Sequence, residues 1–342
     1  MISISTFFKG PLLLMALFSF LSCQSKNEIE IIHIEGKTMG TTYNVKYVPN
    51  NSFPIDQKIV AEKIEEILIQ VNNVASTYIP ESEISKINKA KKNTSFDLSN
   101  EFAFLIKEAI EMNKISRGVF DASLAPLINL WGFGAKGRRE IPPSHQEIKQ
   151  AKENVGMDKF SFDGKKLSKI QDGAELDFSS FAKGHGVDRI VMYLESVQMD
   201  DYFVEIGGEV RTRSQAKVWR IGVEKPLDND ERAVSKVLIL NGSLATSGNY
   251  RNYYKHGGKK FAHGINFYTG HPVENEIASV SVFHRTSTMK ADSWATTLMV
   301  SENLAEAKKL IKENNLTVMI IYHENEELKV FENENWKREF NL

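Results

Sequence analysis

The sequence has almost no cysteine: Cys23 is the only one in 342 residues. A single cysteine excludes an intrachain disulfide, so the fold must be held together by its hydrophobic core. The chain also lacks a surplus of positive charge, with 43 basic and 44 acidic residues, which argues against a nucleic-acid partner. Internal repeats at solenoid periods are missing, and no G-x-G-x-x-G follows an early strand. A repeat protein and a Rossmann domain are therefore disfavoured.

A long hydrophobic run is missing as well. Residues 11–21 are mostly apolar and follow Lys9, but a helix that spans a bilayer needs about 18 or more apolar residues. Such a short run is typical of a signal peptide, and Ser22-Cys23 directly after it is similar to a bacterial lipoprotein cleavage site. Ordinary signal cleavage with an incidental cysteine is the alternative.

We therefore expect a lipoprotein signal peptide over residues 1–22, followed by a lipidated (palmitate-type) Cys23 and a polar tether to residue 29. This arrangement predicts a protein anchored to a membrane of the bacterial cell envelope and facing the periplasm.

The rest of the chain, about residues 30–338, mixes helical and strand patterns and is expected to form one domain. Helical periodicity covers five segments: 56–75, 100–116, 180–197, 290–301 and 303–313. Strand patterns dominate the second half and include 174–178, 202–206, 209–213 and 278–284. Because helices and strands do not alternate regularly, we predict an α+β fold with a large mixed or antiparallel sheet and flanking helices.

The segment Ala291-Asp292-Ser293-Trp294-Ala295-Thr296 carries the strongest chemical signal. Asp292 and Thr296 are four residues apart, so on a helix they share one face. A carboxylate beside a hydroxyl is a pair of hard oxygen ligands suited to Mg²⁺. The alternative is a helix start, with Asp292 as the N-cap and Thr296 bonded back to its own helix.

Two further polar segments could hold a ligand or perform chemistry. Asp177 ends an apolar run before a helix, and Lys183 near that helix start would attract phosphate; a capped helix with a solvent-facing lysine is the alternative. His263 follows a strand and could act as a base near neutral pH. A hydrogen-bonded structural histidine is the alternative there.

Other segments are weaker signals by themselves. Met39-Gly40-Thr41 could approach a phosphate closely or be an ordinary turn. Tyr78 could stack on a flat ligand or pack beneath its loop. Asp121 could bind a ligand or cap the next helix. The segment 205–210 predicts two strands joined by a glycine bulge or tight turn, to which we assign no chemistry.

Taken in order, these segments resemble the ApbE family, the FAD:protein FMN transferases of bacterial envelopes. The resemblance covers about residues 30–335 and includes Trp131-Gly-Phe-Gly134 between the stronger motifs. The segment Asn266-Phe267-Tyr268-Thr269-Gly270 departs from the family pattern. It keeps the Asn and Thr-Gly of that pattern but lacks its proline and basic residue.

The resemblance implies a fold, a set of ligand contacts and an activity. The fold would be ApbE-like, and FAD, the substrate, would contact nine residues: Met39, Tyr78, Val119, Phe120, Asp121, Asp177, Lys183, Gly264 and Ile265. Mg²⁺ would be bound by Asp292, Thr296 and the main-chain carbonyl of Ser180, and His263 would be the catalytic base.

The implied activity is Mg²⁺-dependent transfer of the FMN moiety of FAD to a Ser or Thr hydroxyl of an envelope acceptor protein, such as a redox-pump subunit, with release of AMP. A Mg²⁺-dependent FAD pyrophosphatase using the same site and a non-catalytic flavin-binding lipoprotein are the alternatives.

Overall fold

The structure, a computed structural model, describes residues 29–139, 141–215, 218–226, 234–249, 252–325 and 327–340. The predicted signal peptide, Cys23 and all of the tether except residue 29 lie outside these ranges. Within them, no helix is both long enough and apolar enough to cross a membrane.

The structure contains strands along its whole length and helices mainly in its first two thirds. The strands are β1 (Ile32–Thr38), β2 (Thr41–Tyr47), β3 (Ser95–Asp97), β4 (Phe160–Phe162), β5 (Lys166–Lys169), β6 (Tyr202–Ile206), β7 (Glu209–Arg213), β8 (Arg220–Glu224), β9 (Val234–Ile239), β10 (Gly242–Gly248), β11 (Tyr253–His256), β12 (Lys259–Ala262), β13 (Ile277–His284), β14 (Thr317–Glu324) and β15 (Glu327–Glu332). The helices are α1 (Gln57–Ala75), α2 (Glu83–Lys89), α3 (Asn100–Ile115), α4 (Ala125–Leu130), α5 (His145–Lys152), α6 (Ala182–Ser196), α7 (Thr288–Met299), α8 (Leu304–Glu313) and α9 (Glu334–Phe340).

One eight-stranded sheet organises the molecule, in the order β1-β2-β6-β7-β10-β13-β14-β15. Every neighbouring pair in this sheet is antiparallel. The α+β prediction is therefore confirmed, and the sheet is antiparallel rather than mixed. A three-stranded sheet, β3-β5-β4, and the hairpins β8-β9 and β11-β12 are separate from it.

The sheet is covered on both faces. Apolar residues of α1 and α6 pack on β2 and β6, and those of α3, α7 and α8 pack on β13 and β14. The opposite face is covered by the β8-β9 ribbon and by α9, whose Trp336 is fully buried. Burial on both faces leaves β13 buried from Ile277 to Phe283, including Ser279 and Ser281, which alternate with its apolar residues.

The predicted strand at 174–178 is wrong, because this segment is irregular. Its residues Leu176 and Phe178 are buried, as the apolar pattern suggested. However, the Asn88 side chain binds both main-chain groups of Leu176, at 2.7 Å and 2.8 Å. A side-chain amide therefore satisfies the backbone that a neighbouring strand would otherwise pair with.

Helices α6 and α7 are in close contact at their N-terminal ends. A Cβ atom at Gly184 would lie only 2.5 Å from the carbonyl oxygen of Thr288, so glycine is needed for this approach. The Asp188 carboxylate of α6 accepts hydrogen bonds from the Ser287 hydroxyl and from the amides of Thr288 and Met289. It therefore satisfies amides at the start of α7 that have no partner within the helix.

We predict that Asp188→Asn lowers the free energy of unfolding by about 2–4 kcal/mol, because hydrogen bonds to a partly buried charge are strong and Arg211 would lose the nearer of its two carboxylate partners, at 3.2 Å. Denaturant unfolding measures the change. The matched control is Asp200→Asn, whose ion pair with Arg213 is half exposed and should contribute at most about 1 kcal/mol. Equal losses in the two variants would contradict the role of Asp188.

Candidate functional site

Three segments that are distant in the chain bring Lys183, Glu209 and Asp292 together. These residues belong to α6, to the first position of β7 and to α7. The Lys183 ammonium lies 2.7 Å from Glu209 Oε1 and 3.9 Å from Asp292 Oδ1. Asp292 and Glu209 are only 2% and 3% exposed, and Lys183 is partly exposed toward a cavity. We call these three side chains the ionic cluster.

Burial and mutual charge set the protonation of the ionic cluster. Burial raises the pKa of Glu209 and of Asp292, since each carboxylate loses its hydration, and the Lys183 charge opposes both shifts. Burial alone would lower the pKa of Lys183, but the two carboxylates outweigh it and the pKa lies above its ordinary value. Lys183 therefore stays charged at neutral pH. Burial raises the pKa of Glu209 to about 8, so the cluster carries one negative charge in excess only when both carboxylates are ionised.

The structure excludes the helix-start interpretation of Asp292 and Thr296. The N-cap of α7 is Ser287, whose hydroxyl oxygen accepts from the Lys290 amide. Asp292 lies one turn further along, and its Oδ2 accepts from the Gly184 amide at 3.0 Å. The Thr296 hydroxyl is directed to Ser180 of another segment, with 3.4 Å between Oγ1 and the Ser180 carbonyl oxygen.

These oxygen atoms fit a hard divalent cation. The Asp292 carboxylate, the Thr296 hydroxyl and the Ser180 carbonyl all line the same cavity, and such ligands are the ones that Mg²⁺ prefers. When both carboxylates of the ionic cluster are ionised, its excess negative charge favours a cation at the same place. In the part of the chain that the structure describes, no group of three or more His, Cys, Asp or Glu residues could hold a metal ion. The predicted metal ligands, Asp292, Thr296 and the Ser180 carbonyl, differ from such a group because only one of them is a carboxylate.

Glu209 is the ionisable residue that sequence reasoning missed. It follows the turn Gly207-Gly208, whose φ angles of +60° and +105° favour glycine and confirm the tight turn predicted there. A Cβ atom at Gly207 would lie 2.8 Å from Thr41 Cγ2 and 3.2 Å from Lys183 Cδ. A glutamate beside a hairpin turn is ordinary on a protein surface, so nothing in the sequence indicated its burial.

Asp121 and Asp177 are held by short local hydrogen bonds. Asp121 Oδ1 accepts from the amide of Ser123 at 2.7 Å, whereas the N-cap of α4 is Leu124, without a side-chain bond. Asp121 therefore does not cap that helix. Its pKa is raised by burial, and hydrogen bonds from Ser123 oppose the shift. Asp177 Oδ1 accepts from the Ser179 amide at 2.7 Å, and the Asp177 amide donates to Ala122 O at 2.8 Å, which joins the two aspartate segments.

Apolar and aromatic residues form the other side of the cavity. Tyr78 is 68% exposed, so it is free to cover a ligand and does not pack beneath its loop. Val119 and Phe120 are buried, and Phe120 contacts Phe181 with 5.8 Å between ring centroids. Met39 lies at the turn between β1 and β2 with a φ of +50°. This side presents flat or flexible surface suited to a planar ring.

His263 follows β12 directly and is held by Asn252. The carbonyl oxygen of Asn252 lies 3.2 Å from His263 Nδ1 and 3.1 Å from the His263 amide. Because a carbonyl only accepts, this contact favours the tautomer with the proton on Nδ1 and a lone pair on Nε2. His263 is exposed to solvent, although many protein atoms lie around its ring. Loss of hydration therefore lowers the pKa of His263, the Lys183 charge lowers it further, and the Asn252 contact opposes both.

The loop after His263 places its unusual residues away from the cavity. Asn266 Oδ1 accepts from the Thr269 amide at 3.0 Å, and the Gly270 carbonyl accepts from Trp131 Nε1 at 2.8 Å. The Tyr268 hydroxyl, in place of the family's basic residue, donates to Arg117 O at 2.6 Å.

One cavity of about 450 Å³ collects these features, a volume within the range of small-molecule sites. All thirteen predicted residues of the flavin, metal and catalytic sets line it: Met39, Tyr78, Val119, Phe120, Asp121, Asp177, Ser180, Lys183, His263, Gly264, Ile265, Asp292 and Thr296. Their individual roles stay predictions. The cavity also includes Glu209 and the polar segment 246–249, to which the sequence assigned no role.

Comparison with known proteins agrees with this geometry. The FAD:protein FMN transferase of Haemophilus influenzae is 41% identical over 314 residues, which are 89% of this chain and 89% of that protein. The FAD:protein FMN transferase of Vibrio cholerae is 35% identical over 312 residues, covering 90% and 92%.

Solved structures give the same result. The flavin transferase ApbE from Vibrio cholerae has a TM-score of 0.84 at 33% identity and covers 91% of this chain and 99% of its own. The apo form of Pseudomonas stutzeri flavinyl transferase ApbE has a TM-score of 0.83 at 31% identity, with 92% and 98% covered. Residues 39–320 match the ApbE family as a whole. The chain therefore belongs to the ApbE family.

Proposed function

We propose that this protein is a flavin transferase that moves the FMN moiety of FAD to a Ser or Thr hydroxyl of an acceptor protein and releases AMP. The observation that carries the proposal is the convergence of all thirteen predicted residues on one cavity, with the Lys183 ammonium and oxygen ligands on one side and His263 on another. The ammonium and the oxygen ligands are suited to bind the pyrophosphate of FAD, and His263 is suited to accept the proton of an attacking hydroxyl.

The reaction is a substitution at phosphorus. The acceptor oxygen forms a bond to the phosphorus on the FMN side of FAD, the bond from that phosphorus to the bridging oxygen breaks, and AMP leaves with that oxygen. The hydroxyl proton passes to Nε2 of His263. Lys183 neutralises negative charge on the phosphate oxygens, which is the main contribution that a protein makes to phosphoryl transfer.

The divalent cation is part of the proposal. Asp292, Thr296 and the Ser180 carbonyl would hold Mg²⁺, which when bound supplies Lewis-acid polarisation of phosphate oxygens. The flavin would lie against Tyr78, Met39 and the 119–121 segment. The buried carboxylate of Asp121, already fixed by Ser123, would face its polar edge.

The acceptor and the location of the protein complete the proposal. We infer that the acceptor is an envelope protein such as a redox-pump subunit, and that Cys23 anchors the enzyme to the membrane through its acyl chains. The anchor would hold the enzyme at the membrane on the periplasmic side and raise its effective concentration near a membrane-bound acceptor.

We expect the purified protein, incubated with FAD, Mg²⁺ and a redox-pump subunit of the same bacterium, to make the acceptor fluorescent in denaturing gels. Asp292→Asn should lower this transfer at least about 100-fold, because the cation loses its only charged ligand in the predicted set. Asp292 is buried and bonded to Gly184, so thermal unfolding must show that the variant folds. The control is Asp200→Asn on the surface.

Other results of this assay would contradict the proposal in different ways. Release of AMP with free FMN would indicate a pyrophosphatase, for which the solvent exposure of His263 admits water. Bound FAD with no AMP released would indicate a flavin-binding protein without turnover. Full activity of Asp292→Asn at low Mg²⁺ would remove Asp292 from the metal site.

His263→Ala should lower kcat about 10²–10⁴-fold and leave the Kd for FAD within about threefold, because a base acts only as the hydroxyl loses its proton. Protonation inactivates a base, and the pKa of His263 lies below its ordinary value, so wild-type activity should fall only as the pH drops below about 6.5. Flavin fluorescence titration and gel assays between pH 5 and pH 8 measure both effects. His256→Ala, on the exposed tip of the β11-β12 hairpin, is the control. Weakened FAD binding with unchanged transfer at saturation would make His263 a binding residue.

Mass spectrometry of the mature protein should find acyl chains on an N-terminal Cys23. Two or three chains give stable anchoring, whereas a single chain is marginal. Cys23→Ser should move the protein from the membrane fraction to the soluble fraction without changing FAD affinity. An unmodified N-terminus at any other residue would refute the lipid anchor.

A further inference from the structure

The Lys183 ammonium has two buried carboxylates within reach but binds one of them. Its distance to Glu209 Oε1 is 2.7 Å, typical of a charge-assisted hydrogen bond, and its distance to Asp292 Oδ1 is 3.9 Å, which is too long for one. Asp292 is the carboxylate expected to bind the divalent cation, and Glu209 is not in that set. Lys183 is therefore paired with the carboxylate that the cation does not use.

This pairing leaves one oxygen of Asp292 open. The Gly184 amide occupies Oδ2 at 3.0 Å, and Oδ1 is the oxygen nearest to Lys183. A direct ion pair at Oδ1 would place an ammonium where a cation ligand is needed. The present position of Lys183 avoids that competition.

The burial of the Glu209 carboxylate is energetically unfavourable. It is 3% exposed, its Oε2 has no hydrogen-bond partner within the described residues, and it lines the cavity. An ionised carboxylate in such a place is unfavourable unless a charge compensates it, and Lys183 bonded to Oε1 provides that charge. Nothing in the packing of the sheet requires a carboxylate at this position.

The backbone around Glu209 keeps Lys183 in place. The Gly207-Gly208 turn leaves room for the Lys183 stem, since a Cβ at Gly207 would lie 3.2 Å from Lys183 Cδ. Residue Glu209 begins β7, where it pairs with Ile206 of β6, so its main chain is fixed by the central sheet. The carboxylate is thus a rigid anchor for a flexible side chain.

We propose that Glu209 is a positioning residue that holds the Lys183 ammonium away from Asp292 and so keeps Asp292 available to the divalent cation. The inference rests on the cation site of the proposed function. Without the Glu209 charge, Asp292 is the carboxylate nearest to Lys183, and the ammonium would compete with the cation for Oδ1.

A double-mutant cycle read by metal affinity separates this role from a general charge effect. Isothermal titration calorimetry with MgCl₂ on the FAD-free mature protein measures the affinity without any turnover. Glu209→Gln should weaken Mg²⁺ binding at least about tenfold when Lys183 is present. In a Lys183→Met background, where no ammonium can compete, the same change should have an effect of less than about threefold.

Two further variants serve as controls. Glu205→Gln removes a charge from the same hairpin, where Glu205 bonds Asn44 and the Gly208 amide instead of Lys183, and should change the Mg²⁺ affinity less than about twofold. Glu209→Asp keeps the charge and should stay within about threefold of the wild type, which gives a folded variant to measure if Glu209→Gln fails to fold.

The possible outcomes separate the inference from the proposed function. Equal effects of Glu209→Gln in both backgrounds would mean a general charge effect and would overturn the inference, as would unchanged affinity in Glu209→Gln. A loss in Glu209→Asp as large as in Glu209→Gln would also overturn it. If the wild-type protein itself binds no Mg²⁺ at millimolar concentration, the cation site of the proposed function fails, and the inference fails with it.

Discussion

The contact between α6 and α7 is the interaction on which the rest of the site depends. Gly184 allows the two helices to approach, and Asp188 of α6 satisfies the free amides at the start of α7. The same approach lets the Gly184 amide fix Asp292 and brings Lys183 beside it. If the helices were separated by one methyl group, the predicted metal ligands and the charged residue would no longer share one cavity wall.

The ionic cluster is unfavourable for stability. Two carboxylates are buried beside a partly exposed ammonium, and an unpaired buried charge is strongly unfavourable. One oxygen of Glu209 has no hydrogen-bond partner in the described structure. Such an arrangement persists only because the rest of the fold is stable enough to offset this cost. The central antiparallel sheet and the large apolar clusters on its two faces supply that stability. A divalent cation, bound as proposed, would offset the excess negative charge that the cluster carries when both carboxylates are ionised.

The cavity lies where loops and helix ends meet beside the sheet, while the sheet itself is a scaffold. The predicted metal ligands Asp292 and Thr296 come from a helix, His263 follows a hairpin, and Asp121 and Asp177 lie on irregular segments. Each is fixed by hydrogen bonds to main-chain groups, as with Asp177 and the Ser179 amide. Sites of this kind hold polar groups in place without using loosely held long side chains.

The sequence by itself determined much of this protein. The periodic segments 56–75, 100–116 and 180–197 correspond to α1, α3 and α6, since an apolar stripe at helical spacing has few alternatives. The ordered motifs indicated the family and thirteen of the residues that line the cavity. Local patterns carry this information because spacing along the chain decides which side chains share a face.

Only the tertiary structure decided the remaining features. The apolar segment 174–178 is irregular because the distant Asn88 satisfies its backbone, and Asp292 is buried rather than a cap because α6 packs over it. The burial of Glu209 and its hold on Lys183 depend on a hairpin turn that meets a helix start more than twenty residues away in the chain. Burial and charge pairing between such segments are set by how the chain folds, and no local pattern of residues records them.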